Sequence, residues 1–175
     1  MSNSSGASVH ASAVLVENRA VLIRGPSGAG KSHLAFDLIL AGRAGQIPKA
    51  VLIGDDRVHL QPSRGQLVVR PARELAGLIE IRGLGIRRCD FADEATVGLV
   101  VDLSAGDVER LPPPAALLTQ ISGIKVPRIP VGSGYAALPM VVAALTMSES
   151  SSSTAPSADC SKGIGNHITP TIATE

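Results

Sequence analysis

The sequence predicts an α/β fold: a P-loop-containing mixed β-sheet core with helices. Short aliphatic runs bounded by turn residues predict several strands. Of the 175 residues, 45% are apolar and only 2% are aromatic, as in a packed aliphatic core. The stretch "GPSGAGKS" at residues 25–32 follows an apolar run and precedes a helical pattern, which is the context of a phosphate-binding loop.

The predicted strands share short apolar runs next to Gly, Pro, Asn or Asp. They are residues 10–16, 19–25, 50–56, 57–61, 66–70, 78–83, 96–103 and 123–131. A turn at Glu17-Asn18 joins the first two, and "PSRG" makes a hairpin of the fourth and fifth. The run 50–56 suits a buried parallel strand, and 123–131 suits an edge strand because it contains two prolines.

Two helices are predicted. The first follows the glycine-rich stretch and ends near Gly42, with apolar residues at helical spacing: Leu34, Ala35, Leu38, Ile39 and Ala41. The second is "YAALPMVVAALTM", which Pro139 is expected to interrupt. "RLPPPA" predicts an irregular connector between strands.

Composition predicts one folded domain over residues 9–147, with a disordered N-terminus at 1–8 and a disordered Ser/Thr-rich tail at 148–175. The net charge of +1 and scattered basic residues argue against a nucleic-acid groove or a membrane-binding patch. Cys89 and Cys160 predict two reduced thiols. We see no signal peptide and no apolar run near the ~18 residues of a membrane span, so we expect a cytoplasmic protein.

The phosphate-binding loop (P-loop) predicts a nucleotide site. The predicted nucleotide-binding residues are Gly25, Pro26, Ser27, Gly28, Ala29, Gly30, Lys31 and Ser32. Backbone amides at the helix start point at phosphate oxygens, Lys31 neutralises the β- and γ-phosphates, and the Ser32 hydroxyl is placed to ligate Mg²⁺. This loop predicts ATP and Mg²⁺ as cofactors but does not define the reaction.

Other charged residues are candidates to complete the site. Asp55 and Asp56 end a predicted strand, where they would supply one metal partner and one base, or else form a solvated turn. Glu80 and Arg82 share one face of a strand and would reach a metal and a phosphate, or form an exposed ion pair. His10 is either catalytic or an ordinary structural histidine.

Four segments, taken in order, resemble the catalytic domain of bacterial HPr kinase/phosphorylase. They are "VHAS" (9–12), "GPSGAGKS" (25–32), "GDDRV" (54–58) and "EIRGLGI" (80–86). The last is the most specific, because it is similar to that family's own signature. The resemblance covers residues 9–147, strongly to Leu103, and implies a P-loop kinase domain. It implies ATP- and Mg²⁺-dependent phosphorylation of a serine on the phosphocarrier protein HPr.

The resemblance also implies residue roles. Asp55 matches the aspartate that activates the acceptor serine, His10 matches the family's catalytic histidine, and Arg110 in "ERLP" aligns with an arginine of "DRLG". The predicted catalytic residues are therefore Asp55, His10, Lys31, Arg82 and Arg110. The predicted metal ligands are Ser32, Glu80 and Asp56, of which Glu80 rests on the resemblance.

The sequence departs from the family's pattern in three places. Ala11 replaces the glycine after the histidine, and residues 1–8 hold no separate N-terminal domain, which is similar to the short α-proteobacterial form. "IPVGSGYAA" lacks the Arg and Asn of the segment linked to phosphorolysis, so the reverse reaction stays open. The resemblance implies a hexamer. A small-molecule P-loop kinase and a nucleotide-sensing module without transfer activity remain the alternatives.

Overall fold

A computed structural model describes residues 7–148. They form eleven strands and two α-helices: β1 (Ala7–Val9), β2 (Ser12–Val16), β3 (Arg19–Arg24), α1 (Lys31–Arg43), β4 (Ala50–Gly54), β5 (Val58–Ser63), β6 (Gln66–Pro71), β7 (Leu78–Ile81), β8 (Gly85–Arg88), β9 (Ala95–Leu103), β10 (Leu118–Ile121), β11 (Ile124–Val131) and α2 (Ala137–Thr146). Short 3₁₀ turns lie at Arg73–Leu75 and Pro114–Leu117.

Nine of these strands form one mixed sheet, as the sequence predicts. Its main path is β1-β5-β6-β9-β3-β2-β4, β10 and β11 join it through β9, and β7 and β8 form a separate hairpin. β9 is parallel to both β3 and β11, whereas β2 is antiparallel to β3 and β4. Strands β3, β4, β9 and β11 therefore all end at the same edge of the sheet, which we call the site edge.

The core lies on both faces of this sheet. Along β3, Val21 and Ile23 pack in the cluster that contains α1, whereas Ala20 and Leu22 pack in a second cluster on the other face. Side chains alternate in this way because successive strand residues point to opposite faces. The predicted apolar face of α1 is confirmed, because all five of its predicted residues are buried.

Several predicted element boundaries are wrong. Strand β4 ends at Gly54 and β7 ends at Ile81, so both are shorter than predicted. Strands β1, β8 and β10 were not predicted. β1 includes Ala7 and Ser8, which were expected to be disordered. The other residues of the two predicted disordered ends lie outside the described residues, apart from Ser148, which follows α2.

Pro139 does not interrupt the final helix. α2 begins at Ala137, so the proline occupies the first turn, where its missing N–H would have had no intrahelical partner in any case. The "PSRG" hairpin is confirmed, with β5 and β6 antiparallel from Val58↔Pro71 to Ser63↔Gln66.

Candidate active site

The P-loop connects the end of β3 to the start of α1. Gly28 and Gly30 have φ of 79° and 94°, a left-handed conformation that favours glycine. Gly25 has φ 151°, and a Cβ there would lie 2.9 Å from the Leu103 carbonyl oxygen. The loop therefore packs directly on the end of β9, and side chains at these positions would disturb it.

Lys31 and Ser32 open the helix that follows the loop. Lys31 is 7% exposed, and its Nζ donates hydrogen bonds of 3.0 Å to the carbonyl oxygens of Gly25 and Pro26. Gly30 is the N-cap of α1 and provides no side-chain cap. The first backbone amides of the helix are thus open to an anionic ligand, which the positive end of the helix dipole favours.

The two neighbouring aspartates face different surroundings. Asp55 is 3% exposed; its Oδ1 accepts a hydrogen bond of 2.5 Å from Ser12 Oγ, and its Oδ2 accepts one of 3.1 Å from the Glu80 backbone N–H. Asp56 is exposed, and its Oδ1 lies 3.2 Å from His10 Nε2. The structure thus brings Asp55 to Glu80 and Asp56 to His10.

The backbone at Asp56 is held in an uncommon conformation. Its φ is 65°, a left-handed value that is uncommon for residues with a Cβ, although aspartate adopts it more readily than most. Here this conformation accompanies an aspartate whose side chain is 67% exposed, beside a histidine whose side chain is 52% exposed.

Glu80 lies in a hairpin that is fixed to the domain. Its neighbour Ile79 is 2% exposed and packs in the cluster that contains α1, while the Glu80 backbone N–H is bound by Asp55. Glu80 itself is exposed. Arg82, predicted to share its strand face, instead lies in the turn after Ile81, so the strand-face argument does not apply to it.

Arg110 belongs to the connection between β9 and β10, residues 104–117, which we call the Arg110 loop. The loop leaves the site edge one strand from the P-loop, because β9 is parallel to β3 with Arg24 opposite Asp102. Arg110 is exposed. Neither Arg110 nor Arg82 makes an ion pair within residues 7–148.

A charged cluster between these loops was missed at the sequence level. Asp102 accepts two hydrogen bonds from Arg24, of 2.7 and 2.8 Å, and a third of 2.6 Å from Arg128 Nε. Arg128 also donates to both oxygens of Asp107, at 2.6 and 2.9 Å, and to the Ala116 carbonyl at 3.1 Å. A charged residue inside the apolar run "VGLVVDL" was the available signal, because a charge in such a position needs partners.

The cluster changes the pKa of its carboxyl groups. Burial favours the neutral form of Asp102, but the hydrogen bonds from Arg24 and Arg128 outweigh it and hold the pKa of Asp102 below its ordinary value. The hydrogen bond from Arg128 likewise lowers the pKa of Asp107. Asp107 and Asp102 in turn hold the pKa of Arg128 above its ordinary value.

The donor groups at the site edge fit a magnesium–nucleotide complex. Within residues 7–148, no three His, Cys, Asp or Glu side chains cluster closely enough to hold a metal ion by themselves. Mg²⁺ is usually bound by one or two carboxylates together with substrate phosphates and water. The exposed Glu80 and the Ser32 hydroxyl beside the P-loop are donors of this kind.

Comparison with known proteins identifies the family. A family model described as "HPr Serine kinase C-terminal domain" matches residues 2–159, which is most of the chain. The chain belongs to this family. The HPr kinase fold prediction is also confirmed by a solved structure, the Hpr(Ser) kinase/phosphatase from Coxiella burnetii. It has a TM-score of 0.63 and 27% identity, covering 79% of this chain and 93% of the other.

Curated relatives extend the comparison. HPr kinase/phosphorylase from Enterococcus faecalis is 39% identical over 141 residues, covering 73% of this chain and 43% of the relative. That from Clostridium beijerinckii is 38% identical over 78 residues, covering 45% and 24%. The chain thus matches less than half the length of these HPr kinase relatives. No helix within residues 7–148 is long and apolar enough to cross a membrane.

Proposed function

We propose that this chain is a protein serine kinase that transfers the γ-phosphoryl group of ATP, with Mg²⁺, to a serine of HPr in the cytoplasm. The observation that carries the proposal is the joining of two parts at one sheet edge. The P-loop follows the end of β3. The hydrogen bond from the Glu80 backbone N–H to Asp55 fixes the hairpin of β7 and β8, which contains "EIRGLGI", next to the end of β4. The P-loop and a hairpin that carries the Glu80 carboxylate are thereby held at the same edge of the sheet.

The donor side consists of the P-loop and Glu80. Backbone amides at the start of α1 and the Lys31 ammonium would bind the β- and γ-phosphates. Ser32 and Glu80 would hold Mg²⁺, which supplies positive charge to the phosphate oxygens when bound. Asp56, the third predicted ligand, is assigned to the acceptor hydroxyl instead. Lys31 needs only to exchange its two carbonyl partners for phosphate oxygens.

The acceptor side divides its roles between the two aspartates. A group that contacts a hydroxyl on a protein substrate must be accessible, which favours the exposed Asp56 and His10 over the 3% exposed Asp55. Asp55, the base predicted from the resemblance, then acts by orienting Glu80 and the backbone that leads into Asp56. His10 is placed to bind Asp56 and to fix its orientation.

Arg82 and Arg110 are the remaining predicted catalytic residues. Both are exposed, and each guanidinium lacks an ionic partner among residues 7–148. A planar, permanently charged guanidinium suits the oxygens of a transferring phosphoryl group. We assign one or both of them to that contact.

A transfer assay with γ-labelled ATP and purified HPr tests the proposal. Wild type should label HPr but not an HPr whose acceptor serine is replaced by alanine, and Lys31→Ala should abolish both nucleotide binding and transfer. Asp56→Asn should keep ATP binding and the wild-type melting temperature while losing transfer by about 10²–10⁴-fold. Asp55→Asn should lower both stability and transfer.

Each alternative predicts a different result. Unlabelled HPr together with phosphorylation of small metabolites would indicate a small-molecule kinase. Label released as phosphate only would indicate a hydrolase. ATP-dependent partner binding without transfer would indicate a sensing module. Normal transfer by Asp56→Asn, with loss in Asp55→Asn at unchanged stability, would return the base to Asp55.

We also propose two finer properties from the family resemblance, phosphorolysis and a hexameric assembly. Phosphorolysis is tested by adding excess phosphate to labelled HPr, since the turn at Ser133-Gly134 replaces the family's basic segment. A hexamer is tested by light scattering of the purified chain, where a monomeric mass would contradict it.

A further inference from the structure

Arg128 holds the Arg110 loop at two points. Its terminal nitrogens donate to both carboxylate oxygens of Asp107, near the start of the loop, and one of them also donates to the Ala116 carbonyl near its end. Arg110 lies between these anchors. Most of the loop is irregular backbone, with a 3₁₀ turn at Pro114–Leu117, so these contacts replace the regular hydrogen bonds that would otherwise restrain it.

The same guanidinium connects this loop to the P-loop. Arg128 Nε donates to Asp102, which also receives the paired hydrogen bonds of Arg24. Arg24 immediately precedes Gly25, the first P-loop residue. Two arginines on different strands therefore share one carboxylate, and the chain of contacts runs from the P-loop to Asp107.

Only arginine can make all these contacts at once. The Arg128 side chain is 13% exposed, and its three nitrogens bind two carboxylates and one carbonyl in a fixed planar arrangement. A lysine ammonium is a single point charge and cannot span Asp102 and Asp107 with the same geometry. A lysine at this position would therefore keep the positive charge but lose part of this set of contacts.

We propose that Arg128 is a positioning residue that, through Asp107 and Ala116, fixes the Arg110 loop beside the P-loop. The proposal rests on the proposed function in one respect: the consequence for catalysis requires Arg110 to contact the transferring phosphoryl group. Small displacements of such a group reduce the rate strongly, because the geometry at the reacting atoms is lost.

Limited trypsin digestion tests the position of the loop without any activity measurement. The Arg110–Leu111 bond lies inside the loop, and Leu111 is 84% exposed, so trypsin can reach this bond. The rate of its cleavage then reports how freely the loop backbone moves. Asp107→Asn and Arg128→Lys should raise cleavage after Arg110 by about tenfold, because the loop opens more often. Cleavage after Arg82, in the hairpin turn, should not change and serves as the internal control.

Two variants control for charge and shape. Glu109→Gln removes one negative charge from the same loop without touching Arg128, and it should digest like wild type. Asp107→Glu keeps a carboxylate within reach of Arg128 and should restore protection to within about twofold. Since the Asp107 side chain is 55% exposed, Asp107→Asn should melt within about 2 °C of wild type.

Steady-state kinetics with HPr then separates positioning from binding. Asp107→Asn should lower kcat by about 10–100-fold, with KM for ATP unchanged within about twofold and rescue by Asp107→Glu. Unchanged cleavage after Arg110 in both Asp107→Asn and Arg128→Lys would show that Arg128 does not fix the Arg110 loop. Increased cleavage with normal kcat would overturn its positioning role. If wild type transfers no phosphoryl group to HPr, the proposed function fails. The digestion experiment alone still shows whether Arg128 fixes the Arg110 loop.

Discussion

Replacing Ser12 with alanine removes the hydroxyl that donates to Asp55. Both residues are almost fully buried, at 0% and 3% exposure, and the hydrogen bond measures 2.5 Å. The variant leaves Asp55 Oδ1 without its donor while Oδ2 keeps the Glu80 N–H. Water cannot readily replace the lost donor, because the site is closed to solvent.

The magnitude follows from the charge of the acceptor. A hydrogen bond to a charged group contributes about 1.5–3 kcal/mol, so we expect Ser12→Ala to lower the free energy of unfolding by about 2 kcal/mol. For a domain of this size, that corresponds to a fall in melting temperature of about 4–8 °C. In an Asp55→Asn background the same change should cost only about 1 kcal/mol, because the hydrogen bond is then between neutral groups.

Urea unfolding followed by circular dichroism measures the free energies of unfolding of wild type, Ser12→Ala, Asp55→Asn and the double variant, which together form a double-mutant cycle. The dependence of the free energy on urea should stay constant across the variants, so that shifts in midpoint report stability. Ser63→Ala, at the exposed end of β5, is the matched control and should lie within about 0.5 kcal/mol of wild type. A Ser12→Ala protein as stable as this control would refute the buried hydrogen bond.

Three further predictions concern acid stability, the core and the free thiol. The pKa of Asp102 is lowered in the folded protein, so its ionised form stabilises the fold above the ordinary aspartate pKa of about 3.9, and this stability is lost as pH falls through the folded-state pKa. The free energy of unfolding, measured from pH 5 to 2, should therefore fall less steeply in Asp102→Asn than in wild type. Equal slopes would contradict the ion pairs of Asp102. Leu38→Ala, at a fully buried position of α1, should cost about 3–5 kcal/mol in urea unfolding; Leu40→Ala, 42% exposed, should cost under about 1 kcal/mol, and equal losses would contradict the assigned helix face. Burial raises the pKa of the Cys89 thiol. In a Cys160→Ser protein, iodoacetamide should therefore alkylate Cys89 more slowly at pH 8 than it alkylates a free cysteine peptide. An equal or faster rate would contradict the burial of Cys89.

The local structure around the P-loop was predicted well. The P-loop requires a strand, glycines at particular backbone angles and a helix, all within about twenty residues, and each leaves a pattern. Gly28 and Gly30 adopt the positive φ values that the motif requires. The apolar spacing of α1 and the "PSRG" hairpin are local signals of the same kind.

The parts that depend on distant contacts were not predictable. Nothing in the sequence pairs Arg24 with Asp102 and Arg128, because that requires the register of β3, β9 and β11. The burial of Asp55 depends on Ser12 from an antiparallel strand. The position of Arg82 was missed because β7 ends at Ile81, two residues before the end of the predicted strand.

The parallel pairing of β3 with β9 also sets an order in which the nucleotide site is completed during synthesis. Arg24 and its partner Asp102 are 78 residues apart, so at ribosomal rates of about 5–20 residues per second the second arrives roughly 4–16 seconds after the first. Until then the hairpin of β2 and β3 exists without the strand on which Gly25 packs. Because a ligand stabilises only states that bind it, a nucleotide bound at the P-loop as proposed would assist this fold only after β9 has been made.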